Sequence, residues 1–104
     1  MKNKKIDIIA NRLVKAFLKN KIISPISVKF TKNIKEANKF RKLCESKIKD
    51  PIIGFKAGGT AIPVLKKLQE KEPFYASVFK KNFLTNHKSV KINKYTLGIE
   101  LEVC

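Results

Sequence analysis

The chain has 104 residues, a length that allows one domain with a modest hydrophobic core. Its hydrophobic fraction of 43% excludes wholesale disorder, and no stretch is long and apolar enough for a membrane span. The formal net charge is +16, but all 24 basic residues except Arg12 and Arg41 are lysines, spread along the whole chain. Specific readers of nucleic acid rely on the forked guanidinium of arginine. The charge therefore indicates compositional drift, with a small polyanion-binding module as the alternative.

Apolar residues recur at helical spacing in the first half of the chain, so residues 5–50 are predicted to be helical. The first helix covers residues 5–20 and ends at Asn20. The second begins at Asn33, with Glu36 three residues on completing a capping box. Cys44 falls on the apolar side of this helix, where a small buried hydrophobe is expected.

Residues 52–71 predict a strand, a turn and a helix. Residues 52–56 form a short apolar run typical of a buried strand, and Gly58 and Gly59 follow as a tight turn. Thr60 is expected to cap the third helix, with Pro63 in its first turn. Lys56 lies inside the apolar run. It is either a surface lysine or a positive charge beside backbone N–H groups, able to hold a carboxylate or move a proton.

The remainder, residues 74–104, is predicted to be rich in strands. Residues 95–104 alternate between apolar and other side chains, which places Glu100 and Glu102 on one face, about 6.5–7 Å apart. Two carboxylates so placed can share Mg²⁺ or Mn²⁺; the alternative is the wet face of an amphipathic strand. The sequence stops within this strong pattern, so we expect it to be the front part of a longer protein.

The remaining signals are weak. Cys44 and Cys104 lack any metal-type spacing, and His87 is predicted to be a surface residue in a polar loop. The apolar run at the N-terminus breaks at Asn11 and Arg12, so no signal peptide is predicted. A cytoplasmic location follows as the default expectation.

Three segments in order resemble the 2-keto-4-pentenoate hydratase family of the fumarylacetoacetate hydrolase superfamily. Residues 52–60 resemble its Gly-aromatic-Lys-x-Gly-x-Thr segment, residues 72–79 its Pro-x-x-Gly-x-Leu-Phe segment, and residues 98–104 its Glu-x-Glu strand. The resemblance covers essentially this whole chain but only the N-terminal part of a family member. It implies an α+β fold, in which N-terminal helices precede strands of an incomplete mixed β-roll.

The resemblance also implies a function. A family member binds Mg²⁺ or Mn²⁺, which chelates a small 2-oxo acid, and adds water to a 2-oxo-4-enoate; related members lose CO₂ instead. By matching positions, Glu100 and Glu102 are metal ligands, Lys56 contacts substrate or transfers a proton, and Gly58 and Thr60 line the pocket.

The sequence departs from the family pattern in two places, which leaves the substrate open. Ala37, Asn38, Phe40 and Arg41 occupy the region where the family carries Tyr and Gln, and Ala76 replaces the usual glycine. We expect little activity from this chain alone, and expect it to be completed as a homo-oligomer or by another chain. The alternative is an inactive remnant that itself completes a partner chain. Neither specific nucleic-acid binding nor membrane binding is expected.

Overall fold

The computed structural model describes residues 2–27, 29–86 and 89–102. Within these ranges the chain forms three α-helices and a two-stranded antiparallel sheet. In chain order the elements are α1 (Lys2–Leu18), α2 (Ile34–Ser46), β1 (Ile52–Gly58), α3 (Ile62–Leu68) and β2 (Phe74–Phe79), and a 3₁₀ turn, Lys80–Asn82, follows. The predicted α+β class is confirmed.

Helix α1 ends where the sequence predicts, because Asn20 takes the left-handed conformation with φ of 49°. The Asn20 amide donates to the carbonyl of Phe17 at 3.2 Å, and the Lys21 amide donates to that of Ala16 at 2.9 Å. These two bonds form a Schellman motif, which satisfies the last carbonyls of the helix. The motif turns the chain back, so that Lys21 returns beside the last turn.

Helix α2 begins at the predicted cap. The Asn33 side chain accepts a hydrogen bond from the Glu36 amide at 2.9 Å. The Glu36 carboxylate reaches back one residue further than a standard capping box, accepting from the Lys32 amide at 3.3 Å.

The predicted cap of α3 is wrong. The residue at the N-cap is Ala61, and no side chain hydrogen-bonds there, so Thr60 does not cap this helix. Pro63 does lie in the first turn, where its missing N–H costs nothing.

The small core is built from α1 and the end of β2. Its buried apolar side chains come from one face of α1 and the end of β2: Ile9, Ala10, Val14, Ala16 and Phe79. The Phe79 ring lies 6.2 Å from that of Phe17, in a tilted aromatic pair. Helix α1 also packs on α2, and an ion pair of 2.6 Å joins Asp7 to Lys47 at the end of α2.

Strand β1 differs from its predicted buried state, since most of its side chains are exposed. The side chains of Tyr75, Ser77 and Phe79 contact α1 or α2, so the helices cover one face of the sheet. Lys56 pairs with Ala76 in the register and therefore lies on the opposite face. These contacts of α1 and α2 with β2 all lie on the other face.

The strand predicted over residues 95–104 is absent from the part of it that the structure describes. Residues 93–96 form a turn in which the Asn93 side chain accepts from the Tyr95 amide at 2.8 Å, and residues 97–102 have no regular structure. A strand requires hydrogen-bonded neighbours, and the described residues supply none here. Val103, Cys104 and His87 lie outside the described residues.

The longest helix is α1, with 17 residues. Across the described ranges, no helix combines the length and the apolar character needed to cross a bilayer.

Candidate functional site

An open groove lies on the face of the sheet opposite the contacts with α1 and α2. It is lined by Lys56 of β1 and by the run of residues 97–102. This arrangement brings together three of the five residues that the sequence analysis selected: Lys56, Glu100 and Glu102. They come from segments more than 40 residues apart in the chain.

The groove contains an ion pair. The Lys56 ammonium donates to both carboxylate oxygens of Glu102, at 2.8 and 3.1 Å. Both side chains are about half exposed or more, at 63% and 49%. An ion pair of this exposure stabilises a fold by about 0–1 kcal/mol. The pair therefore orients two side chains without contributing much to stability.

Glu100 lines the same groove, and no described residue forms an ion pair with it. Its carboxylate and that of Glu102 are the donors that Mg²⁺ and Mn²⁺ prefer. Mg²⁺ is commonly bound through one or two carboxylates while it keeps several waters, so the donor type fits this cation. The number of donors is minimal, because no cluster of three or more His, Cys, Asp or Glu occurs among the described residues. The Lys56 ammonium would also compete with a metal cation for the Glu102 carboxylate.

Gly58 and Thr60 do not line the groove. Gly58 instead lies opposite Phe74 in the sheet register, and an added Cβ at Gly58 would stand 2.6 Å from that ring. Gly59 has φ of 65°, and a Cβ there would lie 2.8 Å from the same ring. The described structure thus explains both glycines by the packing of Phe74 on the turn.

A second polar cluster, which the sequence analysis did not select, joins α2 to the sheet. Glu45 accepts from Arg41 on the same helix and from the Ser77 hydroxyl on β2, the latter at 2.7 Å. The Arg41 guanidinium stacks over the Tyr75 ring, 4.5 Å from its centroid, and Tyr75 meets Phe55 edge-on at 5.4 Å. The spacing of Arg41 and Glu45, four residues apart, was the available signal. Its partners on β2 could not be read from spacing.

This cluster gives Arg41 a structural role. Its charge is paired, and its planar face is used against an aromatic ring, as arginine allows and lysine does not. Arg41 lies in the region where the sequence departs from the hydratase pattern. The departure therefore coincides with a contact that fixes α2 on the sheet.

Cys44 is partly buried on α2, close to its predicted environment. Desolvation by burial raises the pKa of its thiol, an effect that the nearby Lys47 partly offsets. A thiol with a raised pKa is a poor nucleophile near neutral pH. Cys44 is thus unsuited to nucleophilic catalysis.

Comparisons with protein-family models, with curated proteins and with solved structures find no match for this chain.

Proposed function

We propose that this chain is the N-terminal part of a divalent-metal-dependent hydratase. Its substrate class would be a small 2-oxo acid of the 2-oxo-4-enoate type, to which water is added. Decarboxylation of a related 2-oxo acid is the alternative reaction. The proposal is supported by one geometric observation: Lys56 and Glu102, selected from separate motifs, form an ion pair across 46 residues of sequence.

The three charged residues of the groove, Lys56, Glu100 and Glu102, have proposed roles. Glu100 and Glu102 would hold Mg²⁺ or Mn²⁺, since both carry carboxylates and both line the groove that contains Lys56. The cation would supply a positive charge that polarises the oxygens of a 2-oxo acid. Lys56 would bind the substrate carboxylate or carry a proton at its Nζ atom. Gly58 and Thr60 remain predicted pocket residues from the resemblance alone.

The large exposed surface supports the proposal that a further polypeptide covers this chain in the working assembly. The chain exposes 9586 Å², whereas a compact protein of this mass exposes about 6,000 Å². Large apolar side chains are among the exposed groups, and Leu97 and Leu101 in the groove wall are almost fully accessible. Contiguous exposed apolar surface marks an interaction site. We therefore propose that a second copy or a completing chain covers this face. We also propose that the whole protein is cytoplasmic and has a fumarylacetoacetate-hydrolase-type roll.

Titration calorimetry with Mn²⁺ tests the metal ligands. Glu100→Ala and Glu102→Ala should each weaken Mn²⁺ binding by at least tenfold, about 1.4 kcal/mol. Glu72→Ala is the matched control, because it removes one exposed carboxylate away from the groove and should leave the affinity unchanged. Equal effects of all three variants, or no Mn²⁺ binding by the unmodified chain, would refute the ligand assignment.

A further inference from the structure

A patch of four cations lies at the end of α1, away from the groove. Arg12, Lys15, Lys19 and Lys21 line one surface depression, together with Ala16 and Ile23. We call these four cationic side chains the basic patch. None of the groove residues belongs to it.

Local structure explains why the four cations converge. Arg12, Lys15 and Lys19 follow at intervals of three and four residues, so they lie along one face of the helix. Lys21 is beyond the helix end, but its amide bonds the Ala16 carbonyl in the Schellman motif. This bond folds Lys21 back to the same surface.

The basic patch lacks carboxylates. The ion pairs among the described residues use three cations that lie outside the patch: Arg41, Lys47 and Lys56. No acidic residue lines the depression. The negative end of the helix dipole favours Lys15, by about 0.3–1 kcal/mol. It does not account for Arg12, which lies in the middle of α1, since the effect is confined to the last turn.

We infer that the basic patch binds the phosphate backbone of nucleic acid without regard to sequence. Lys19 lies seven positions after Arg12, a rise of about 10 Å along the helix. Phosphates of one duplex strand recur about every 3.4 Å along its axis, so this length spans about three of them. The patch contains no aromatic ring for base stacking. It therefore offers contacts to phosphates and none that read bases.

A lipid surface suits the patch less well. Membrane-surface helices insert an apolar face beside the basic one. Three apolar residues of α1, Ile9, Ala10 and Val14, are already buried in the core. The large exposed apolar side chains of α1 do not line the depression: Ile8, Phe17 and Leu18. The inference does not depend on the proposed hydratase function, because it uses a different surface.

The test is the salt dependence of binding to a fluorescently labelled 20-base-pair DNA duplex, measured by anisotropy with the full chain. Counterion release gives a slope of about −0.9 per phosphate contact in a plot of log K against log salt. Lys15→Gln with Lys19→Gln should make the slope shallower by about 1.8. At roughly 0.15 M salt, the same loss corresponds to about 30-fold weaker binding.

The matched control is Lys66→Gln with Lys67→Gln on α3. It removes the same two charges from exposed positions outside the basic patch, so it controls for net charge. It should change the slope by less than half as much. Equal changes in the two double variants, no change in either, or binding only to anionic lipid vesicles would overturn the inference. Circular dichroism confirms that both variants stay folded, and a duplex of scrambled sequence should bind equally.

Discussion

Replacing Gly58 with alanine separates a packing role of the glycine turn from a substrate-binding one. The new Cβ would stand 2.6 Å from Cε2 of the Phe74 ring, whereas ordinary contact begins at 3.4 Å. The ring or the backbone must therefore shift. Overpacking of this kind costs about 1–3 kcal/mol. In a domain of this size, each kcal/mol lowers Tm by about 4–8 °C.

A double-mutant cycle assigns that cost to the ring. Phe74→Ala removes the clashing atoms, so Gly58→Ala should cost much less in that background than in the unmodified chain. Gly59→Ala is the comparison variant. Its added Cβ also meets the ring, at 2.8 Å, but its φ of 65° adds a left-handed penalty of about 1–2 kcal/mol that Phe74→Ala does not relieve.

Urea unfolding followed by circular dichroism measures all six proteins, the unmodified chain, the three single variants and the two double variants, under one condition. The reasoning predicts a coupling energy of about 1 kcal/mol or more between Gly58 and Phe74. It also predicts that a sizeable cost of Gly59→Ala remains without the ring. If Gly58→Ala is neutral, or costs the same with and without Phe74, the packing account is wrong.

Three further predictions concern the core, the thiol and the ion pair. Phe79→Ala should lower the free energy of unfolding by about 3–5 kcal/mol in urea titrations, since this ring is buried; a loss below about 1 kcal/mol would contradict its core position. In a Cys104→Ser background, Cys44 should be alkylated with a midpoint above the ordinary thiol pKa of about 8.5, and urea should lower that midpoint. Because its pKa is raised by folding, the contribution of Cys44 to stability is present below about pH 8.5 and declines as pH rises further. Lys56→Met should strengthen Mn²⁺ binding up to about fivefold in calorimetry, by freeing Glu102 of an exposed pair; weaker binding would show that Lys56 is not a competitor.

Local sequence was sufficient for the helices. Asn33 caps α2 because an Asn side chain can accept a backbone N–H, and Asn20 ends α1 because Asn tolerates positive φ. The strand Phe74–Phe79 and the position of Pro63 were also predicted, from composition and from the missing N–H of proline. The Thr60 cap failed because Ser, Thr, Asp and Asn mark a helix start only to within a residue or so.

The candidate site was predicted in part. Residue type and spacing selected Lys56 and Glu102, but a pairing across 46 residues depends on where β1 and the later segment meet in space. The cluster around Glu45 was missed for the same reason, since its contact with Ser77 joins residues 32 positions apart.

The sequence by itself determined the helices, the end of α1, the start of α2 and the chemistry available to the chain, because these follow from interactions between residues a few positions apart. Tertiary structure alone decided which of these groups meet. It placed Phe74 on the glycine turn, brought Lys56 to Glu102, and left residues 97–102 without a strand partner among the described residues. The physical reason is that a helix satisfies its own hydrogen bonds, whereas a strand depends on a neighbour that the sequence pattern cannot supply.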